Sequence, residues 1–171
     1  MGMGAQTAAR RPPAWVRLAD EGADANTVLR VFEVEYPPVN VEELARRMGI
    51  DILPEPSGTE ISGRIDVDRE TLSATIRVRR DHVMWRQRFT IAHEIGHLLL
   101  NHTDGNTCYR GFAGPQEGAA NRFAADLLMP LWMLEPLAIK YGPDAALLAR
   151  AFQVSEGAMK IRLEVLTGIR R

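Results

Sequence analysis

Residues 89–102 read FTIAHEIGHLLLNH, and no other stretch restricts the fold so tightly. An oily run of this kind is core material, and cores exclude ionisable side chains unless these are paired or ligating. Yet His93, Glu94 and His97 all stand inside it. If residues 82–101 form a helix advancing about 100° per residue, the two histidines fall one turn apart within an arc of about 40°. Ile91, Ile95, Leu98 and Leu99 lie on the opposite side and can face a core. Gly96 sits beside the histidines and leaves room for another backbone to come close. Two imidazoles at this spacing can hold one metal ion. Glu94 projects from the neighbouring arc, where a base that deprotonates activated water belongs. The pentapeptide is an H-E-x-x-H motif. A pair of hydrogen-bonded core histidines beside an exposed glutamate is the plainer alternative, and a third ligand separates the two.

Zinc with two histidine ligands needs one further protein ligand and an open position. Downstream, His102, Asp104, Cys108, Glu117 and Asp126 are the candidates. His102 lies about 140° round the helix from His97 and points away unless the helix has ended. The extended motif H-E-x-x-H-x-x-G-x-x-H is absent, since Leu100 and Thr103 occupy its Gly and His positions. Cys108 sits in a glycine- and asparagine-containing loop and reads as an incidental thiol. QEGAANRFAADLLMP reads as a helix ended by Pro130, with Glu117, Asn121 and Leu128 on one face. Ala120 and Ala124 beside them allow close approach to the histidine helix. Glu117 is the best third ligand on this geometry, and Asn121, one turn on, can accept the second N–H of a ligating histidine. Arg122 and Asp126 fall on the far side and suit an exposed ion pair with each other. An acidic residue favoured by the helix dipole is the simpler account of Glu117.

The rest of the chain reads as an α+β domain, mainly helical, with a small antiparallel sheet of about three strands before the histidine helix. Residues 1–13 look like a flexible tail, and 14–171 like a single domain. ANTVLRVFEVEY (25–36) suggests a helix stopped by Pro37-Pro38. Asn40 followed by Glu43 resembles a capping box, and Gly49 a C-terminal cap, bounding a helix over 41–48 before a strand over 50–53. EISGRIDVD and TLSATIRVR alternate polar and apolar residues and predict a hairpin over roughly 60–67 and 71–78. Everything after about residue 82 reads helical, with breaks at 103–115, Pro130, Gly142-Pro143 and Val154-Ser155.

Bulk properties narrow the function classes. With 21 basic and 22 acidic residues, charge gives no reason to expect a nucleic-acid binder. No apolar run approaches the ~20 residues a membrane helix needs. The first residues carry no apolar signal segment, and Gln6 breaks the myristoylation pattern. A single cysteine permits no internal disulfide, and a reducing cytoplasm is the simplest location.

QRFTIAHEIGHLLL followed by EGAANRFAADLLMP resembles the ImmA/IrrE family of bacterial and phage metallopeptidases. The resemblance runs over roughly residues 25–166 and takes in VNVEELARRMGIDI, the hairpin and LARAFQVSEGAMKIRLEVL. It implies one Zn²⁺ per chain held by His93, His97 and Glu117, with Glu94 as the general base. It also places Asn121 where many related peptidases carry Asp, behind a ligating histidine. An amide orients that histidine while raising its basicity less than a carboxylate does. The resemblance further implies a protein substrate, a helix-turn-helix repressor or antitoxin often encoded beside the peptidase.

For an oxyanion-stabilising donor, Tyr109, His102, His82 and Tyr141 are the candidates, and the glycine-containing loop 103–115 is a candidate cover for the cleft. The C-terminal segment 143–171 supplies a second reading. Residues 148–166 resemble a helix-turn-helix, with Ala149, Met159 and Leu163 inside and a turn at Gln153–Ser155. Gln153 stands where glycine is common, and Glu156 and Glu164 offset Lys160 and Arg162. Packing against the core or docking of a protein therefore fits better than reading DNA. A third reading keeps the metal site without turnover, the chain acting as an antirepressor that sequesters its partner.

Overall fold

A computed structural model of the chain describes residues 11–58, 61–102 and 114–168. Three short helices come first: α1 (Ala14–Asp20), α2 (Ala25–Val31) and α3 (Val41–Met48). Helix α1 lies ahead of the first helix that the sequence predicts, over 25–36. Its seven residues are held through Trp15, Leu18 and Ala19, which are buried. In α2 the Asp24 side chain caps the first turn by accepting from the Thr27 N–H at 2.7 Å. The helix ends well before the proline pair, because Glu33 takes a left-handed φ of 55°. The Val34 N–H then returns to the Leu29 carbonyl at 2.9 Å, a Schellman-type closure. In α3, Asn40 accepts from the Glu43 N–H at 3.1 Å, while the Glu43 carboxylate turns to Arg46. Gly49 closes the helix at φ 82°, and a Cβ there would lie 2.6 Å from Pro13 Cβ, so the position admits no side chain.

Strands β1 (Ile50–Glu55), β2 (Gly63–Asp68) and β3 (Ser73–Arg79) form one sheet in the order β1-β3-β2. The β2–β3 hairpin is antiparallel, with Ile65 opposite Ile76 and Val67 opposite Ala74. Its turn spans residues 69–72. Asp68 accepts from the Glu70 and Thr71 N–H groups, and Leu72 takes φ 54°. The expected all-antiparallel arrangement is corrected at β1, which pairs with β3 in parallel, Ile52 opposite Ile76. The chain reverses between β1 and β2 and again between β2 and β3. Placing β3 in the middle therefore makes β1 and β3 run the same way.

Five helices follow: α4 (Met84–Leu99), α5 (Pro115–Leu128), α6 (Leu131–Tyr141), α7 (Ala145–Phe152) and α8 (Glu156–Thr167). Helix α4 is the axis of the domain. The sheet, α1, α3 and α5 all pack on it, and Thr90 through Leu99 are buried without interruption. The histidine side is as enclosed as the isoleucine side, so α4 is a central helix rather than a surface one. Gly63 lets β2 approach it, since a Cβ there would meet Thr90 Cγ2 and the Arg77 carbonyl, each at 2.5 Å. Helices α7 and α8 are joined through Gln153 in the left-handed region and Ser155, which caps α8 by accepting from the Ala158 N–H at 3.1 Å. Ala149, Met159 and Leu163 are buried, as a helix-turn-helix pattern requires. Among the described residues no helix is long and apolar enough to cross a membrane.

Candidate metal centre

The centre is built where α4 and α5 touch. Gly96 makes the approach close, because a Cβ at that position would come within 3.1 Å of Phe123 Cβ. Ala120 and Ala124 keep the facing side of α5 small, and both are fully buried. Pro115 starts α5 and Glu117 occupies its first turn, where the helix dipole favours a carboxylate.

This packing brings Glu117 to the two histidines. Its Oε1 lies 3.1 Å from His97 Nε2 and its Oε2 lies 3.3 Å from His93 Nε2. The histidine Nε2 atoms are 2.9 Å apart, and the rings meet edge to face with centroids at 4.6 Å. One donor atom from each of the three residues falls within 4.8 Å of the others. His93 and His97 are 4% and 2% exposed, while Glu117 keeps a window to solvent. Two ring nitrogens and two carboxylate oxygens turned on one another in a buried place repel unless a cation or shared proton lies among them.

Asn121 sits one turn beyond Glu117, and its Oδ1 is 2.9 Å from His93 Nδ1. The amide oxygen is an acceptor, so Nδ1 carries the proton and Nε2 presents its lone pair to the cluster. The residues thus fit a divalent ion that prefers two imidazoles and a carboxylate, with solvent access left on one side.

Glu94 is 1% exposed, a buried carboxylate rather than the surface acid of the plainer alternative. Helix α4 ends at Leu99, Asn101 takes φ 54°, and the His102 N–H returns to the His97 carbonyl at 2.9 Å. This turn brings His102 back toward the site, its ring centroid 5.4 Å from that of His97. Its buried Nδ1 has no hydrogen-bond partner among the described residues. Burial pushes the His102 pKa down, and the Glu117 charge opposes that shift.

His82 precedes α4, its carbonyl accepting from Gln87, and Tyr141 lies half exposed on α6 beside Lys140. Neither lines the cleft at the centre. Tyr109, Cys108 and Asp104 lie outside the described residues, as does most of the loop 103–115. Asp126 does not join the group formed by His93, His97 and Glu117. It also departs from the expected pairing with Arg122, binding instead to Arg162 of α8 at 2.7 Å. Arg162 in turn donates to the Met129 carbonyl at 2.7 Å. Sequence reasoning had no local signal for that pair, because its members belong to different helices.

A cleft of about 780 Å³ opens beside His93, Glu117 and Asn121. Ser62, four further residues of α4 from Trp85 to Thr90, Leu128 and Met129 at the end of α5, and residues of the α7–α8 turn and α8 also line it.

A family model for peptidases, described as IrrE N-terminal-like domain, matches residues 45–164. Among solved structures, one described as a Mycobacterium tuberculosis transcriptional regulator is similar at a TM-score of 0.57 and 19% identity. The match covers 86% of this chain and 46% of that one, so this chain spans under half that protein's length. The likeness is one of fold. No curated protein gives a significant match.

Proposed function

Because the chain belongs to the IrrE N-terminal-like domain family of peptidases, we propose that it is a zinc-dependent metallo-endopeptidase acting on a protein partner. The convergence of Glu117, from a separate helix, on the Nε2 atoms of His93 and His97 carries this reading. These three residues would hold the ion. When bound, a divalent ion here supplies Lewis-acid polarisation of a peptide carbonyl and lowers the pKa of water. Glu94 acts as the base: its carboxylate takes a proton from the attacking water and passes it to the leaving amine. Asn121 holds His93 in the tautomer that keeps Nε2 unprotonated. Of the described candidates for steadying charge on the carbonyl oxygen, His102 packs beside His97, without lining the cleft.

The partner we propose is a helix-turn-helix repressor or antitoxin, and the site of action the cytoplasm. The description of the solved relative as a transcriptional regulator supports a role in transcription control. A DNA-reading role for α7–α8 is less well supported. Lys160 pairs with Glu156 at 2.7 Å, and Arg162 is buried against Met129 and Asp126, so two cations of α8 are already engaged.

The test incubates zinc-loaded protein with a helix-turn-helix repressor encoded beside it, with and without chelator, alongside Glu94→Gln. The wild type should cleave only without chelator, and Glu94→Gln should retain zinc and fail to cleave. Equal cleavage by Glu94→Gln removes the base assignment. Tight binding by wild type with no cleavage identifies a sequestering antirepressor instead.

A further inference from the structure

The cleft beside His93 and Glu117 has a wall that zinc binding does not require. Val154, Ser155, Ala158 and Ile161 line it, all from the α7–α8 turn and the first half of α8. In a helix-turn-helix that reads DNA, this part of the second helix enters the major groove. Here it faces the same cavity as the candidate ligands. Ile161 is 66% exposed and Trp85, which lines the same cleft, 45% exposed. Large apolar side chains held in water around a concave site gain by being covered, and covering them with another apolar group removes that surface from solvent. Apart from Glu117, the only charged side chain lining the cleft among the described residues is Arg86, which donates to Ser62 Oγ at 3.1 Å. The wall formed by Val154, Ser155, Ala158 and Ile161 carries no charged side chain.

We infer that the α7–α8 pair is the specificity wall of the cleft, selecting an extended peptide with a bulky apolar side chain next to the scissile bond. The inference rests on the peptidase reading above for the position of that bond. The volume of about 780 Å³ accommodates a peptide segment rather than a single small side chain.

The test uses two end-blocked decapeptides in an alanine-glycine background, one with Leu-Phe at its centre and one with Ser-Ser. Binding to the zinc-loaded Glu94→Gln protein is measured by calorimetry, so the readout does not depend on turnover. The apolar peptide should bind about tenfold or more tightly. Adding Ile161→Glu should abolish that preference, and Ile161→Ala should reduce it. Equal affinity for the two peptides overturns the inference, as does a preference unchanged by Ile161→Glu in a variant that melts like its parent. Cleavage of the apolar peptide by the protein with Glu94 intact is scored separately. Ile161-dependent binding without any cleavage keeps the wall and loses the peptidase. Cleavage without an Ile161-dependent preference does the reverse.

Discussion

His93 Nδ1 and Asn121 Oδ1 are 2.9 Å apart, across the interface between α4 and α5. The contact joins the helix that carries both histidines to the helix that carries Glu117, so the residue that fixes the His93 tautomer also fixes the spacing of the ligand set. Replacing Asn121 by Leu should lower zinc affinity by roughly 10- to 100-fold, the usual consequence of losing an acceptor behind a ligating histidine. Asn121→Asp should hold zinc at least as well as wild type. Competition with a chromophoric chelator measures both, and a Leu variant with wild-type affinity would show that the amide has no role in the site.

Gly96 governs the same interface sterically. A Val side chain there must displace Phe123, since even a Cβ lies 3.1 Å from Phe123 Cβ. Gly96→Val should destabilise the protein by about 1–3 kcal/mol, the typical cost of overpacking a core. Phe123→Ala is itself destabilising because the ring is buried, but the double variant should lose less stability than the sum of the two single losses. Thermal unfolding of the two single variants and the double variant reads the coupling, and strictly additive losses would mean that the residues do not compete for space.

Asp24 gives the fold an acid-sensitive helix cap. Hydrogen bonds from the Thr27 side chain and backbone hold its carboxyl below the ordinary value of 3.8. The folded pKa is depressed, so the stabilisation is fully present above 3.8 and disappears as pH falls through the lower folded value. Asp24→Asn keeps an acceptor at the cap and has no titrating group. The gap in melting temperature between wild type and Asp24→Asn should therefore narrow or reverse in the variant's favour as pH falls below 3.8. A gap independent of pH over that range would contradict the cap's titration.

Much of this molecule was legible locally. The Asn40 cap, the Gly49 terminus and the breaks at Pro130 and Val154-Ser155 act through a few neighbouring residues, so they can be read along the chain. The placement of Glu117 beside the histidines was also legible: helical spacing puts it on one face with Asn121, and small residues beside them permit the approach to α4. The parallel pairing of β1 was not, because a hairpin offers two free edges, and β1 runs parallel on β3 where it would run antiparallel on β2. Helix α1 was not legible either, because seven residues carry little periodicity and depend on tertiary burial of Trp15 and Leu18. The Asp126–Arg162 pair and the cleft wall formed by α8 are likewise products of long-range packing.

The central claim is that Glu117 and the two histidines share one divalent ion. Metal analysis of the purified wild type beside Glu117→Ala tests it most directly. The account predicts close to one zinc per wild-type chain and a large loss of zinc in the variant, with the helical fold retained by circular dichroism. A variant that keeps its full zinc complement, or a zinc-reconstituted wild type that binds none, would contradict it.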